Sequence, residues 1–269
     1  MEHLLSVWPQ INRQLEAARH IYLFADCDGT LAPIVPKPNL AVIPLKTRKL
    51  LKQLSRESKI TLSVISGRAI ADLRNLVRIN GIIYAGNHGM EIAGPGIKYL
   101  YPVSHETLQL FPEVLKTLDK ALSGIPGVII ENKGLTLSVH YRMVARNRVA
   151  EVKDIFHRSV NELNAADRMK ITTGKEVLEV RPAVNWHKGK AVQLLMKRDR
   201  NYGKPGALLP VYLGDDSTDE DAFRQTQRYN RGMAVFVGEK RQTSKAKYYL
   251  NSTVEVALFL ERLLETMRR

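Results

Sequence analysis

Two aspartates, two residues apart, close an apolar run in Ile21-Tyr-Leu-Phe-Ala-Asp26-Cys-Asp28-Gly-Thr-Leu31. Clustered carboxylates repel one another, and a hard divalent cation is the simplest way to hold them ionised side by side. Three more segments deliver groups that fit such a cation and a phosphate. Ser66 closes the run Lys59–Ile65, the basic pair Lys188-Gly-Lys190 stands at a helix start, and Gly214-Asp215-Asp216-Ser-Thr-Asp219 follows Ala207–Leu213. Carboxylates hold the metal, while lysine and a hydroxyl neutralise and orient phosphoryl oxygens. The pattern describes a magnesium site beside a phosphate site, and the set is far more specific than any one member.

These groups converge only if particular elements carry them. Four apolar residues before Asp26 suit a buried parallel strand, and Gly29 ends it. Leu45 to Ser58 has helical spacing, Lys59 to Ile65 is strand-like and breaks at Ser66-Gly67-Arg68, and Ala69 to Val77 is again helical. Gly81 to Ala85 is a short strand that breaks at Gly86-Asn-His-Gly89. Strand, turn, helix and strand in this order predict right-handed βαβ units, a parallel sheet and a site at its carboxyl edge. Ala207–Leu213 and Ala234–Val237 supply further strands.

Between the two halves the pattern changes. Helix over 106–122, paired strands at 127–132 and 135–141, helix over 146–164 and strands at 169–172 and 176–181 make an αββαββ unit. The expectation is therefore an α/β chain: a Rossmann-like catalytic core from residues 1–105 and 182–269, with an inserted α+β cap at 106–181.

The chain has 269 residues, 44% hydrophobic, enough for one large core or two unequal domains. No apolar run approaches the ~20 residues that span a bilayer, and the first residues lack the basic start and apolar stretch of a secretory signal, so a cytoplasmic protein without a membrane partner is expected. The single cysteine, Cys27, excludes an internal disulfide and reads as a small buried filler, because flanking aspartates disfavour its thiolate. A net charge of +14 invites a nucleic-acid partner, but Lys and Arg are scattered, with only short clusters such as Lys245-Ala-Lys247 and no nucleic-acid motif. A positive field drawing in a small anionic substrate is the more economical use of the charge.

The motifs Asp26-Cys-Asp28-Gly-Thr, Ser66-Gly-Arg68, Lys188-Gly-Lys-Ala and Gly214-Asp-Asp-x-Thr-Asp-Glu-Asp221 resemble the four ordered motifs of the haloacid dehalogenase-like phosphatases. More narrowly, Gly86-Asn-His-Gly-x-Glu91, Glu131-Asn-Lys133, His140-Tyr-Arg142, Glu179-Val-Arg-Pro182 and the stretch Gly214–Phe223 resemble the trehalose-6-phosphate phosphatase family. The similarity runs from about Tyr22 to Val237. Asn87 departs from it, since the family more often has serine there, and the first twenty residues match nothing in it.

The resemblance implies Asp26 as nucleophile and Asp28 as general acid and base. It implies Mg2+ held by the Asp26 carboxylate, the Asp28 backbone carbonyl and the Asp215 carboxylate, with Asp216 or Asp219 close by. Lys188 would bridge Asp26 and the phosphate, and Ser66 would bind a phosphate oxygen. On sequence alone, Glu131, Lys133, Arg142 and Glu179 read as a solvated sheet face. The resemblance makes them sugar-binding groups instead. His88 either touches sugar or ties down its turn, Arg68 and Arg181 either contact substrate or pair with carboxylates, and His140 is structural. The implied activity is magnesium-dependent hydrolysis of a sugar phosphate, most simply trehalose 6-phosphate, by a monomer. Sucrose phosphate and glucosylglycerol phosphate are alternative substrates, and a noncatalytic sugar-phosphate sensor is the rival from another class.

Overall fold

The structure is a computed structural model that describes residues 1–164, 167–199, 203–204, 207–229, 231–239 and 243–268. It divides into two compact units, one comprising Met1–Leu100 with Trp186–Arg269 and the other Tyr101–Asn185.

The larger unit is built on a nine-stranded sheet. Its strands are β1 (Glu2–His3), β2 (His20–Ala25), β3 (Ile60–Ile65), β4 (Ile83–Gly86), β5 (Glu91–Gly94), β6 (Ile97–Leu100), and later β11 (Leu208–Gly214), β12 (Met233–Val237) and β13 (Tyr248–Leu250). Their spatial order is β1-β13-β12-β11-β2-β3-β4-β5-β6. Every pairing from β1 to β4 is parallel. The β4, β5 and β6 pairings are antiparallel, so the expected parallel sheet ends in a hairpin turned by Gly94-Pro95-Gly96. After β2 the chain builds outward through β3 and β4; after the second unit it returns to build outward from β11. The adjacent strands β2 and β11 thus flank the point where strand order reverses, which is where open α/β sheets gather ligands.

β2 reads His-Ile-Tyr-Leu-Phe-Ala and is buried from its second residue onward. A near-continuous apolar run of that kind suits a strand covered on both faces. The residues Ile21, Leu23, Ala25, Val211, Leu213, Val235, Leu260 and Leu263 share one large apolar cluster. Helix α1 (Trp8–Glu16) and helix α2 (Leu45–Leu54) pack against the C-terminal helix α8 (Thr253–Met267). Helix α3 (Ile70–Val77) packs on β4, while α6 (Lys188–Lys197) packs on α7 (Glu220–Gln227).

The smaller unit has four antiparallel strands in the order β7 (Ile129–Asn132), β8 (Leu137–His140), β10 (Val177–Pro182) and β9 (Met169–Gly174). Helices α4 (His105–Leu122) and α5 (Val149–Leu163) share an apolar cluster with this sheet. On α4 the buried Phe111, Val114, Leu118 and Leu122 recur at helical spacing, and the Ser104 hydroxyl caps the helix by accepting from Thr107 N at 3.3 Å. In the sheet, Leu137, Val139, Leu178 and Val180 point into that cluster. The register sets Glu131 opposite Ser138, Ser138 opposite Glu179 and Glu179 opposite Thr172, so strand alternation gathers a polar row on the other face.

Candidate active site

The carboxyl ends of β2, β3 and β11 lie side by side, and each feeds a turn that carries polar groups. Asp26 N still bonds to Leu213 O at 2.9 Å, the last step of the ladder. The chain then folds tightly, with Leu31 N and Ala32 N both donating to Cys27 O at 2.9 Å and Gly29 N to Ala32 O at 2.7 Å. Glycine is required at this turn for two reasons. Its φ is +86°, and a Cβ there would lie 2.0 Å from Asp215 Oδ2. The bare backbone is what lets the Asp215 carboxylate approach the Asp26 loop.

Lys188, the first residue of α6, is buried and donates from Nζ to Asp26 Oδ1 at 2.6 Å and to Asp219 Oδ1 at 2.7 Å. Asp219 has no solvent exposure. Its Oδ1 also accepts from the Tyr212 hydroxyl at 2.7 Å, and its Oδ2 accepts from Asp215 N at 3.0 Å and Asp216 N at 3.1 Å. Burial alone would lower the Lys188 ammonium pKa, but Asp219 and Asp26 outweigh it and hold the group above its ordinary value. Burial pushes the Asp26 carboxyl well up; Lys188 pulls it back, while Asp219 and Asp215 add to the rise. Burial, then the charges of Asp219 and Asp26, also raise Tyr212, so its hydroxyl keeps its proton and remains a donor.

Asp26, Asp215 and Asp219 are all buried and each offers a carboxylate oxygen, the three within 4.8 Å of one another. One lysine against three carboxylates leaves negative charge at a water-poor site. The donor set is all oxygen, which fits a hard cation, and such a cation would reverse the upward pull on Asp26. Asp26 and Asp215 of this group are thus able to hold a metal. Asp216 lies outside it: its Oδ1 accepts from Ser217 N at 2.6 Å and caps the turn that follows.

Ser66 follows β3, with its backbone N bonded to Ala85 O of β4 at 2.9 Å and its hydroxyl accepting from Arg68 N at 3.2 Å. Arg68 reaches back to Asp28 with both arms, Nε to Oδ2 at 2.6 Å and Nη2 to Oδ1 at 2.7 Å, and also donates to Pro38 O at 2.9 Å. Of the two roles open to Arg68 in the sequence, the geometry displays the carboxylate partner. The turn at 87–89 braces this loop: Asn87 N donates to Arg68 O at 2.8 Å and His88 N to Ser66 O at 2.9 Å. Asn87 and His88 both adopt left-handed backbone, φ 47° and 56°. Asn87 Nδ2 donates to Glu91 Oε1 at 2.7 Å, and the His88 imidazole covers Gly67, where a Cβ would meet it at 2.9 Å. The His88 ring thus packs against the Ser66–Arg68 turn.

In the smaller unit, Glu179 is buried and its Oε1 accepts from Lys133 Nζ at 3.1 Å and from the Thr136 and Ser138 hydroxyls at 3.3 Å. Glu131 accepts from His140 Nε2 at 2.9 Å and lies 3.9 Å from Lys133 Nζ. Arg142 pairs with Glu176 at 3.0 Å and donates to Lys175 O at 2.9 Å. Glu131, Lys133 and Glu179 are therefore one charge-paired group, with Lys133 hydrogen-bonded to Glu179 and 3.9 Å from Glu131, and with Arg142 paired elsewhere. Burial of Glu179 and of Lys133, at 8% side-chain exposure, removes the solvated-face reading for those two. Sequence reasoning missed Tyr212; its only signal was a tyrosine two residues before Gly214 on an otherwise aliphatic strand.

A mostly parallel sheet with a buried lysine and aspartates at its carboxyl edge, together with a separate small antiparallel unit, is the arrangement of the haloacid dehalogenase-like fold. A solved haloacid dehalogenase-like hydrolase from Bacteroides thetaiotaomicron shares the fold with a TM-score of 0.62 at 18% identity, over 91% of this chain and 99% of that one. The C-terminal domain of Candida albicans trehalose-6-phosphate phosphatase superposes with a TM-score of 0.80 at 24% identity, over 96% of each chain. Trehalose-phosphate phosphatase B of Arabidopsis thaliana is 35% identical over 260 residues, covering 93% of this chain and 68% of that protein. The sequence profile of the trehalose-phosphatase family matches residues 24–254. The chain belongs to the trehalose-phosphatase family and is a phosphoric monoester hydrolase.

Proposed function

We propose that the chain hydrolyses trehalose 6-phosphate to trehalose and phosphate, with Asp26 as the nucleophile. The observation that carries the reading is the buried Asp26 carboxylate, bonded to Lys188 at 2.6 Å and grouped with Asp215 at the sheet's carboxyl edge. An Asp26 oxygen forms a bond to phosphorus as the bond from phosphorus to the sugar oxygen breaks. Asp28 delivers a proton to that leaving oxygen, then takes one from the water that attacks the aspartyl phosphate and frees phosphate. Each Asp28 oxygen accepts one bond from Arg68, which leaves a second lone pair on each to carry the proton. Lys188 keeps Asp26 aimed and offsets charge on the incoming phosphate, while Ser66 offers its hydroxyl to a phosphate oxygen.

Asp26, Asp215 and the Asp28 carbonyl are the groups to hold Mg2+, which when bound offsets the repulsion between carboxylate and phosphate dianion. Glu131, Lys133, Arg142, Glu179 and His88 are the candidates for sugar recognition, supported for the first, second and fourth by their clustering on one sheet face. The test is phosphate release from a panel containing trehalose 6-phosphate, sucrose phosphate and glucosylglycerol phosphate, with magnesium and with chelator. Preference for trehalose 6-phosphate, lost on chelation and with Asp26→Asn, is the expected result. Turnover by Asp26→Asn near the native rate overturns the nucleophile, and absence of any magnesium-dependent release supports the sensor reading.

A further inference from the structure

Asp219 belongs to the acidic triad by distance, yet all of its acceptor capacity is engaged within the protein. A carboxylate has about four lone-pair positions. Here Lys188 Nζ and the Tyr212 hydroxyl share Oδ1, and Asp215 N and Asp216 N share Oδ2, at distances from 2.7 to 3.1 Å. A group so saturated has nothing left to give a cation. It serves instead as a buried counter-charge that splints the Gly214–Asp219 turn and anchors Lys188. The close fit extends to the backbone, because a Cβ at Gly214 would lie 2.4 Å from Asp219 Cγ.

We infer that Tyr212 is a positioning residue of the reaction, acting through Asp219 to aim Lys188 at Asp26. Lys188 bridges two carboxylates at nearly equal distance, 2.6 Å to Asp26 and 2.7 Å to Asp219. Its orientation depends on how strongly each attracts it. The tyrosine hydroxyl offsets part of the negative charge on the very oxygen that competes with Asp26 for the ammonium. Without that hydroxyl, Asp219 Oδ1 has an unmet buried acceptor position, and Lys188 is the nearest group able to move toward it and away from Asp26. Tyr212 itself is fixed: it is fully buried on β11, stacked on Phe24 at 6.3 Å between ring centroids and edge-on to Phe223 at 5.7 Å. The ring contacts survive replacement by phenylalanine, so that change removes the hydroxyl alone.

The inference rests on Asp26 being the nucleophile, and the experiment separates the two. Steady-state kinetics on trehalose 6-phosphate with magnesium are compared for the native chain, Tyr212→Phe, Asp219→Asn, their double variant, Asp26→Asn and Tyr84→Phe. Tyr84 is a buried tyrosine of the same sheet whose hydroxyl, among the described residues, bonds to the backbone of Ile79, so it reports the generic effect of a lost buried hydroxyl. Tyr212→Phe is expected to lower kcat about tenfold to a hundredfold, the range for one hydrogen bond to a charged group, with KM and the half-saturating magnesium concentration within about twofold of native. Tyr84→Phe is expected to keep kcat. In the Asp219→Asn background, Tyr212→Phe is expected to cost no more than about twofold further. A native kcat in Tyr212→Phe overturns the inference. A loss seen only in KM or in magnesium half-saturation, or one that persists in full without the Asp219 charge, overturns it as well. An active Asp26→Asn sinks the underlying nucleophile reading, whereas an inactive Asp26→Asn beside an unaffected Tyr212→Phe sinks this inference alone.

Discussion

Cys27 sits between Asp26 and Asp28 in the loop after β2 and has no solvent exposure. Burial pushes its thiol well above the ordinary range, with Asp28 and Asp26 adding to the rise. Both access and ionisation therefore oppose its chemistry, since the thiolate is the reactive form. At pH 8 a colorimetric disulfide reagent should label the native chain at least a hundredfold more slowly than the urea-unfolded chain. Substrate-speed labelling of the native protein would place Cys27 in an open loop and contradict the packing around Asp26. This filler role was legible in the sequence, because flanking charges and an apolar run leave a cysteine little else to do. The pairing of Lys188 with Asp26 came from the family resemblance rather than from residue type, and the 2.6 Å bond agrees with it. Asp219 and Tyr212 were not separable in that way. Spacing marks Asp215, Asp216 and Asp219 alike as acidic residues of one turn, and only the hydrogen bonds show that Asp216 caps the turn while Asp219 is enclosed by donors.

Among the elements, the buried strands and the helices of the smaller unit could be read from periodicity, since each is long enough for its pattern to repeat. β1 has two residues and β13 three, too few for any period to register, and both are held by sheet pairing rather than by propensity. The β5–β6 hairpin escaped the sequence reading, although Gly94-Pro95-Gly96 turns it, because its strands have only four residues each. Glycines at the turns show how far an element's end can control the site. Gly96 has φ +67° with nothing near its Cβ position, Gly127 has φ +89° with Met143 O at 2.2 Å from that position, and Gly29 has φ +86° with Asp215 at 2.0 Å. Alanine at Gly96 should cost about 1 kcal/mol, the left-handed penalty alone. At Gly127 the added clash with backbone should raise the cost to about 2 to 4 kcal/mol without touching the chemistry of the residual folded enzyme. At Gly29 the obstacle is the carboxylate of Asp215, the proposed metal ligand, so kcat should fall more than tenfold and the half-saturating magnesium concentration should rise. Thermal melts and magnesium titrations of the three variants check this order; an active Gly29→Ala would mean that Asp215 need not approach the loop so closely.

At the scale of the whole molecule, the two units have separate apolar cores, and the smaller one sets a row of polar groups on one face of its sheet. Such a face would be ordinary if it were solvated. Glu179 is only 5% exposed, however, and collects Lys133, Thr136 and Ser138 around one oxygen, with Glu131 next to the same lysine. Ordered acceptors and donors of this kind suit the hydroxyls of a sugar, whereas the core's lysine, serine and aspartates suit any phosphate monoester. Substrate discrimination should accordingly reside in residues 106–181. Glu179→Ala is a poor test, because it strips a buried lysine of its nearest carboxylate and can unfold the unit. Glu179→Gln preserves the shape and one acceptor oxygen while removing the charge. It should lower kcat/KM for trehalose 6-phosphate about tenfold to a hundredfold and leave slow hydrolysis of a small generic phosphate ester within about twofold. Equal losses on both substrates would assign Glu179 to folding or to the common chemistry. No loss on either would make it an internal tie for Lys133, and the choice of sugar would then have to come from groups outside the polar row.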